Sequence, residues 1–376
     1  MSLNDRDALL AAILANPDED TPRLMFADWL KENGDSDRGE FVRLQVEAAH
    51  AEPFSPSARP LAADAQRLLE RHAGEWTRHL AERTVARQFV RGFVEQVTVN
   101  AATFARDAAA LFAAEPIRSL RVLRYAVPPV SLDAFFNAPQ LAQVTRLDFS
   151  RFCPQPSEFD AFTTAFAAAQ PRFDQITDLN LRENAVQPGW LRTLLAGGAL
   201  PALAGLDLAD DSHLGRVLAE ALPTAAHRRF ARLDLSYIRF ASDQIQKVLA
   251  SRCAREVEEL RLAWRGGSAG PGPLTHLTLG WTIPWDRLRV LDLNGQGVGS
   301  EGVREIVAEL SRRPGLAPLR WLGLADNGIG ADGVRALAAS DESRIKLYHL
   351  DLRNNGLTAA HRAALRERFP DAVIQS

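Results

Sequence analysis

Asp28, Glu40 and Arg43 are the first residues whose types suit catalysis, since two carboxylates beside an arginine can divide acid and base roles. No nucleophile, metal-ligand spacing or phosphate cradle accompanies them, so they read as an internal salt-bridge and capping set between short helices. The eight histidines, His50, His72, His79, His213, His227, His276, His349 and His361, contain no pair at helical ligand spacing. Cys153 and Cys253 belong to no Cys-x-x-Cys pair, which fits two reduced core thiols. The glycine-rich run from Gly266 to Pro273 is followed by no Gly-Lys-Ser/Thr, so it is not a phosphate cradle. The expectation is a chain with no enzyme activity, no cofactor and no metal site.

The remaining residues must then build a surface. With 376 residues, 46% hydrophobic and 24% charged, the composition is that of an ordinary soluble protein. A net charge of −3 gives no global pull toward nucleic acid or an anionic membrane. The N-terminus lacks a basic region followed by an apolar run, and no stretch approaches the roughly 18 apolar residues of a membrane helix. A cytoplasmic location with neither nucleic acid nor membrane as partner is expected.

Four helical patterns open the chain. Leu9, Leu10, Ile13 and Leu14 mark the first, and Leu24, Met25, Trp29 and Leu30 mark the second behind Thr21-Pro22. Phe41, Val42, Leu44 and Val46 mark the third, a proline-rich loop follows over 51–60, and Leu61 to His72 resumes a helix. The run PRLMFADWLKENGDSDRGEFVRLQ, Pro22 to Gln45, resembles the short bacterial repeat-companion domain. The similarity extends through LLERHAGEW, Leu68 to Trp76, and RGFVEQVTV, Arg91 to Val99. That resemblance implies a companion domain ahead of repeats and implies no chemistry.

From Val94 onward the pattern apolar-x-x-apolar-x-apolar recurs, with its fourth residue at Val97, Leu120, Leu147, Leu179, Leu206, Leu233, Leu260, Leu277, Leu291, Leu322 and Leu350. Successive differences are 23, 27, 32, 27, 27, 27, 17, 14, 31 and 28 residues. A period near 27–28 with this core predicts a short strand and a helical crossover in each unit. The extensions Asp326 to Leu337 and Asn354 to Leu365 closely resemble the ribonuclease-inhibitor class of leucine-rich repeat. Asn184, Asn327 and Asn355 fall at that class's asparagine position, where the side chain can bond unpaired backbone on the turn.

The expected fold is therefore α/β: a leucine-rich-repeat solenoid with parallel strands on the concave face and helices on the convex face, preceded by a small all-α domain. The expected division is 1–50 as helical companion domain, 51–92 as helical linker and N-terminal cap, and 93–376 as about 10–11 repeats. The segment from Phe369 is expected to cap the last repeat. The 17 and 14 spacings around Leu277 leave little room for crossovers, which predicts either an interrupted helix layer, the favoured reading, or an incomplete rung at Leu274–Leu279.

A partner would meet the residue between the last two apolar positions of each strand. That line holds Asp207, Asp234, Arg261, Asp292 and Asp351, an acidic series suited to a basic protein surface, although aspartate is also a common solvated choice here. Tyr237, Trp264, Trp281 and Trp321 add large aromatics of the kind found at interface hot spots. Trp264, Trp281 and Trp285 have the alternative role of filling the gap left by missing helices. Arg228-Arg229 and Arg312-Arg313 fall outside the line and read as solvated crossover ends. The expected function is a non-catalytic protein-binding scaffold; the alternative is a regulator of an enzyme, such as a GTPase-activating or inhibitor-type protein.

Overall fold

The computed structural model describes residues 3–124, 132–169, 173–197, 199–225, 227–265, 272, 274, 285–312 and 317–376. Among these residues the protein is α/β, with thirteen helices and twelve mostly parallel strands. It divides into two compact units, Met1–Phe152 with Thr164–Ile176, and Cys153–Thr163 with Thr177–Ser376. No helix among the described residues is long and apolar enough to cross a membrane.

The first unit begins with α1 (Leu3–Ala15), α2 (Thr21–Glu32), α3 (Ser36–His50) and α4 (Ala58–Trp76), each packed on the next. Proline in the first turn starts α2, and the Asp35 carboxylate accepts the Arg38 backbone N–H to cap α3. Ile13, Phe26, Ala27, Leu30, Val42 and Val46 form one core, closed by Phe93. Asp28 pairs with Arg43, and Lys31 with Glu40 at 2.7 Å, all at the surface.

Part of the segment expected to be a helical linker is strand. β1 (Ala86–Val90) and β2 (Phe93–Asn100) are antiparallel, joined by Arg91 and Gly92 at φ of 48° and 88°. Two consecutive positive φ values make the tight turn that matches strand twist. A Cβ on Gly92 would lie 2.7–2.9 Å from Val42, so glycine is required there. Then α5 (Ala101–Ala114) leads to β3 (Ser119–Leu123), parallel to β2, and α6 (Leu132–Phe136) lies before β4 (Arg146–Asp148), parallel to β3. Buried Phe104, Phe135, Phe136, Phe149, Phe166 and Phe173 fill this part of the unit.

The division between units falls within α7 (Pro156–Ala169). The second unit carries β5 (Asp178–Asn180), β6 (Gly205–Asp207), β7 (Arg232–Asp234), β8 (Glu259–Arg261), β9 (Val290–Asp292), β10 (Trp321–Gly323), β11 (His349–Asp351) and β12 (Val373–Gln375). All pair in parallel, in chain order, so Leu179, Leu206, Leu233, Leu260, Leu291, Leu322, Leu350 and Ile374 stand in one register row. The leucines of that row are at most 2% exposed. Crossovers contain α8 (Pro188–Leu195), α9 (Gly215–Ala221), α10 (Ser242–Ala250), α11 (Gly299–Ser311), α12 (Ala331–Ala338) and α13 (Ala359–Arg368). Neighbouring helices pack on each other from α8 to α10 and from α11 to α13.

β8 hydrogen-bonds directly to β9, with Leu260 opposite Leu291. The two paired leucines are 31 residues apart in the chain, and Leu277, expected as a strand position between them, lies outside the described residues. The interrupted helix layer expected around it lies outside the described residues. The C-terminal segment adds β12 beside β11 and buries Phe369.

Candidate functional site

Each strand from β5 to β11 buries its middle leucine and leaves the flanking residues on the other face. Asp207, Asp234, Arg261, Asp292, Gly323 and Asp351 consequently align across neighbouring strands. Their carboxylates are already engaged. Asp207 accepts the N–H of Ala209 at 2.9 Å, Asp234 that of Ser236 at 3.0 Å, Asp292 that of Asn294 at 3.1 Å and Asp351 that of Arg353 at 3.1 Å. Asn180 serves Arg182 in the same way at 2.9 Å. The repeated aspartate thus closes the turn that ends each strand, the local bond for which Asx residues are suited.

Asp351 is 2% exposed, and both its oxygens also meet the Arg353 guanidinium, at 2.9 and 2.6 Å. Burial pushes the Asp292 carboxyl above its usual pKa, with the Asn294 N–H and Arg261 pulling it back. Asp207 and Asp234 are half-buried. The acidic series therefore commits its carboxylate oxygens to its own turns.

Three residues beyond the ends of β5, β6, β7, β9, β10 and β11, though not of β8, the backbone turns left-handed. Glu183, Asp210, Tyr237, Gly295, Asp326 and Asn354 hold φ between 56° and 72°. A second ladder runs through these turns: Glu183 N–H donates to Ala209 O, Asp210 to Ser236 O, Tyr237 to Ala263 O, Trp264 to Asn294 O, Gly295 to Ala325 O and Asp326 to Arg353 O. Asn, Asp and Gly suit such positions; a bulky aromatic does not. Glu183 and Tyr237 depart from this, and Tyr237, the one aromatic of the six, sits in a built environment. The Arg182 and Arg265 guanidinium carbons lie 5.7 and 4.7 Å from its ring centroid. Asp210 pairs with both arginines, at 2.6 and 2.8 Å. Beside them runs a groove of about 620 Å³ lined by Tyr237, Trp264, Arg265, Asn294, Asp326 and Arg353, among others.

Trp321 lies on the strand face, stacked on His349 at 5.2 Å with an 8° interplanar angle. Arg261 covers it at 5.5 Å from the centroid. A Cβ on Gly323 would come 2.7 Å from the indole, so the ring lies flat across that glycine. Trp264 is half-buried at the groove, whereas Trp285 is 1% exposed and belongs to the core. Trp281 lies outside the described residues. Of the expected residues, Tyr237 and Trp264 meet at the groove, while Arg261, Asp292 and Trp321 meet on the strand face.

One position later in the turn sits the asparagine series. Asn184 accepts the Cys153 N–H and donates to Leu181 O; Asn355 accepts the N–H groups of Asn327 and Ile329 and donates to Leu324 O. Gln296 fills the place after β9, donating to Leu262 O. Asp211 fills it after β6, is 2% exposed, and has neither carboxylate oxygen in hydrogen-bonding geometry. Burial pushes its pKa up to about 8, with a further rise from Asp207 and Asp210; the backbone N–H groups of Asn184 and Val186 pull the other way.

Arg182, Arg265 and Arg353 escape a reading that follows strand positions alone, because they belong to the turns. Their signal is the fixed offset from each strand's last residue: Arg182 and Arg353 stand two positions beyond Asn180 and Asp351. Arg228, expected at a solvated end, is 3% exposed and donates to the carbonyls of Leu194, Ala199 and Leu200. Among the described residues no group of three histidine, cysteine or acidic side chains is placed to hold a metal ion. No protein-family model matches this chain, and no curated protein is similar to it.

Proposed function

We propose that the chain is a leucine-rich-repeat binding scaffold with a repeat-companion domain at its N-terminus, and that it takes a partner protein on the strand face and turn edge of the second unit. The observation that carries this reading is Tyr237. An L-residue in the left-handed region costs roughly 1–2 kcal/mol, and strain of this kind collects at functional positions. Here it places an aromatic ring between two arginines at the mouth of a groove that also exposes part of Trp264. Tyrosine, tryptophan and arginine are the side chains that dominate interface energetics. The groove and the Trp321–Arg261 stack, rather than the turn-closing aspartates, are the anchors in this scheme.

Replacing Tyr237 by asparagine separates strain from use. Tyr237→Asn is expected to raise stability by about 1 kcal/mol, because asparagine tolerates the left-handed region. The same variant is expected to lose a partner that the wild type retains in affinity capture. A stabler protein with undiminished capture would remove Tyr237 from the binding surface. For the strand face, Trp321→Ala/Asp234→Arg should weaken capture while leaving the fold intact, as read by circular dichroism. Equal capture by that variant and wild type would move the site off this face.

A further inference from the structure

The second unit carries a cleft on its crossover side that none of the above requires. It is a cavity of about 740 Å³ at the C-terminal end of α10, and its lining includes Arg229, Lys247, Ser251, Arg252, Arg255 and Glu256. Four cations face one carboxylate. Glu256 is shared between Arg229 and Arg287, the latter at 3.8 Å, and Lys247 meets Asp243 at 2.9 Å. Arg252 and Arg255 are exposed, and among the described residues neither guanidinium has a hydrogen-bond or ion-pair partner.

A structural account covers part of this. Cations near a helix C-terminus are favoured by the helix dipole, by about 0.3–1 kcal/mol each. The end of α10 is already closed, however, because both the Ser251 N–H and its hydroxyl donate to Val248 O. With Arg229 and Lys247 ion-paired, Arg252 and Arg255 remain as like charges facing one cavity. Arg228, next to Arg229, shows how this fold uses an arginine structurally: it is buried on three carbonyls. Arg252 and Arg255 have no such engagement.

We propose that this cleft binds a small anion carrying two or more adjacent phosphate groups. Guanidinium forks match phosphate oxygens in bidentate geometry. The volume lies within the range of small-molecule sites. Cations gathered on one cavity require negative charge gathered on neighbouring atoms, which a di- or triphosphate supplies; an acidic peptide spreads its carboxylates along the chain.

The test is calorimetric titration of the full chain with inorganic triphosphate, and separately with a short glutamate peptide. Wild type is expected to bind triphosphate, and Arg252→Glu/Arg255→Glu to lose affinity by about tenfold or more, as loss of charged hydrogen bonds implies. Both residues are exposed, so the melting temperature should be unchanged. Arg304→Glu/Arg335→Glu makes the same charge change on α11 and α12 and should retain binding. Absence of triphosphate binding, its survival in the cleft variant, or equal loss in the control would overturn the proposal. Binding of the glutamate peptide alone would overturn the phosphate assignment.

Discussion

Asp211→Asn is expected to stabilise the protein, and to do so most at neutral and alkaline pH. At the equivalent place, Asn184 and Asn355 each use one side-chain atom as acceptor and the other as donor to backbone carbonyls. An ionised carboxylate can only accept. Its second oxygen at Asp211 therefore takes the place of an amide donor, at a site 2% exposed and beside Asp207 and Asp210. A protonated carboxyl can donate there, which agrees with a pKa pushed up to about 8 by burial. Since the folded pKa lies above the unfolded value, about 3.9, this group costs no stability below that pH. Above it the unfolded chain ionises first, and stability falls by about 1.4 kcal/mol per pH unit until the folded form ionises too. Near pH 7 the loss is on the order of 2–4 kcal/mol. Chemical denaturation of wild type and Asp211→Asn at pH 4.5 and pH 7.5 (about the ends of that window) should show curves that diverge as pH rises. Parallel pH dependence in the two proteins would show that Asp211 is ionised and solvated in the native state.

The same position explains where sequence reading succeeds and where it stops. Leucine spacing is legible because burial of every middle strand residue demands an apolar side chain at a fixed interval, and Leu179 through Leu350 occupy one register row. Spacing alone does not say which strands hydrogen-bond: β8 pairs directly with β9, Leu260 opposite Leu291, across the stretch where the leucine intervals are shortest. The acidic line was legible as a pattern, but its role was not. Asp207, Asp234, Asp292 and Asp351 look solvent-facing by type, yet each bonds a backbone N–H two residues on. Tyr237 could be picked out as an aromatic; its left-handed backbone and its two arginines depend on contacts between turns about 27 residues or more apart. Arg23 and Glu95 draw no reading from sequence, and Arg228 reads as a solvated end, for a common reason. Charged residues are presumed solvated, and only distant carbonyls and countercharges reveal that they are buried.

Glu95→Ala is expected to cost about 3–5 kcal/mol, the usual penalty for breaking a buried ion pair. Arg23 on α2 is fully buried and meets Glu95 on β2 at 2.8 Å; Arg91 reaches the same carboxylate at 3.2 Å. The Arg23 guanidinium also donates to the carbonyls of Pro17, Arg91 and Val90, at 2.6, 3.0 and 3.3 Å. Through it the helical stretch beginning at Pro22 is tied to the hairpin at Arg91-Gly92. Burial lowers the Arg23 pKa and raises that of Glu95, so desolvation opposes the pair and the mutual attraction must hold both charges. Removing the carboxylate leaves two guanidiniums facing each other, one of them already with an unpartnered Nε. Glu95→Gln keeps the shape and accepts one hydrogen bond, so its loss should fall between those of wild type and Glu95→Ala. Arg23→Met/Glu95→Leu removes both charges and should cost less than the sum of the single replacements, because the desolvation penalty disappears with the pair. Denaturation free energies for these proteins decide the matter. Additive losses, or a Glu95→Ala cost below about 1 kcal/mol, would mean that water reaches the pair and that the hairpin is held by apolar packing around Phe26 and Phe93 instead.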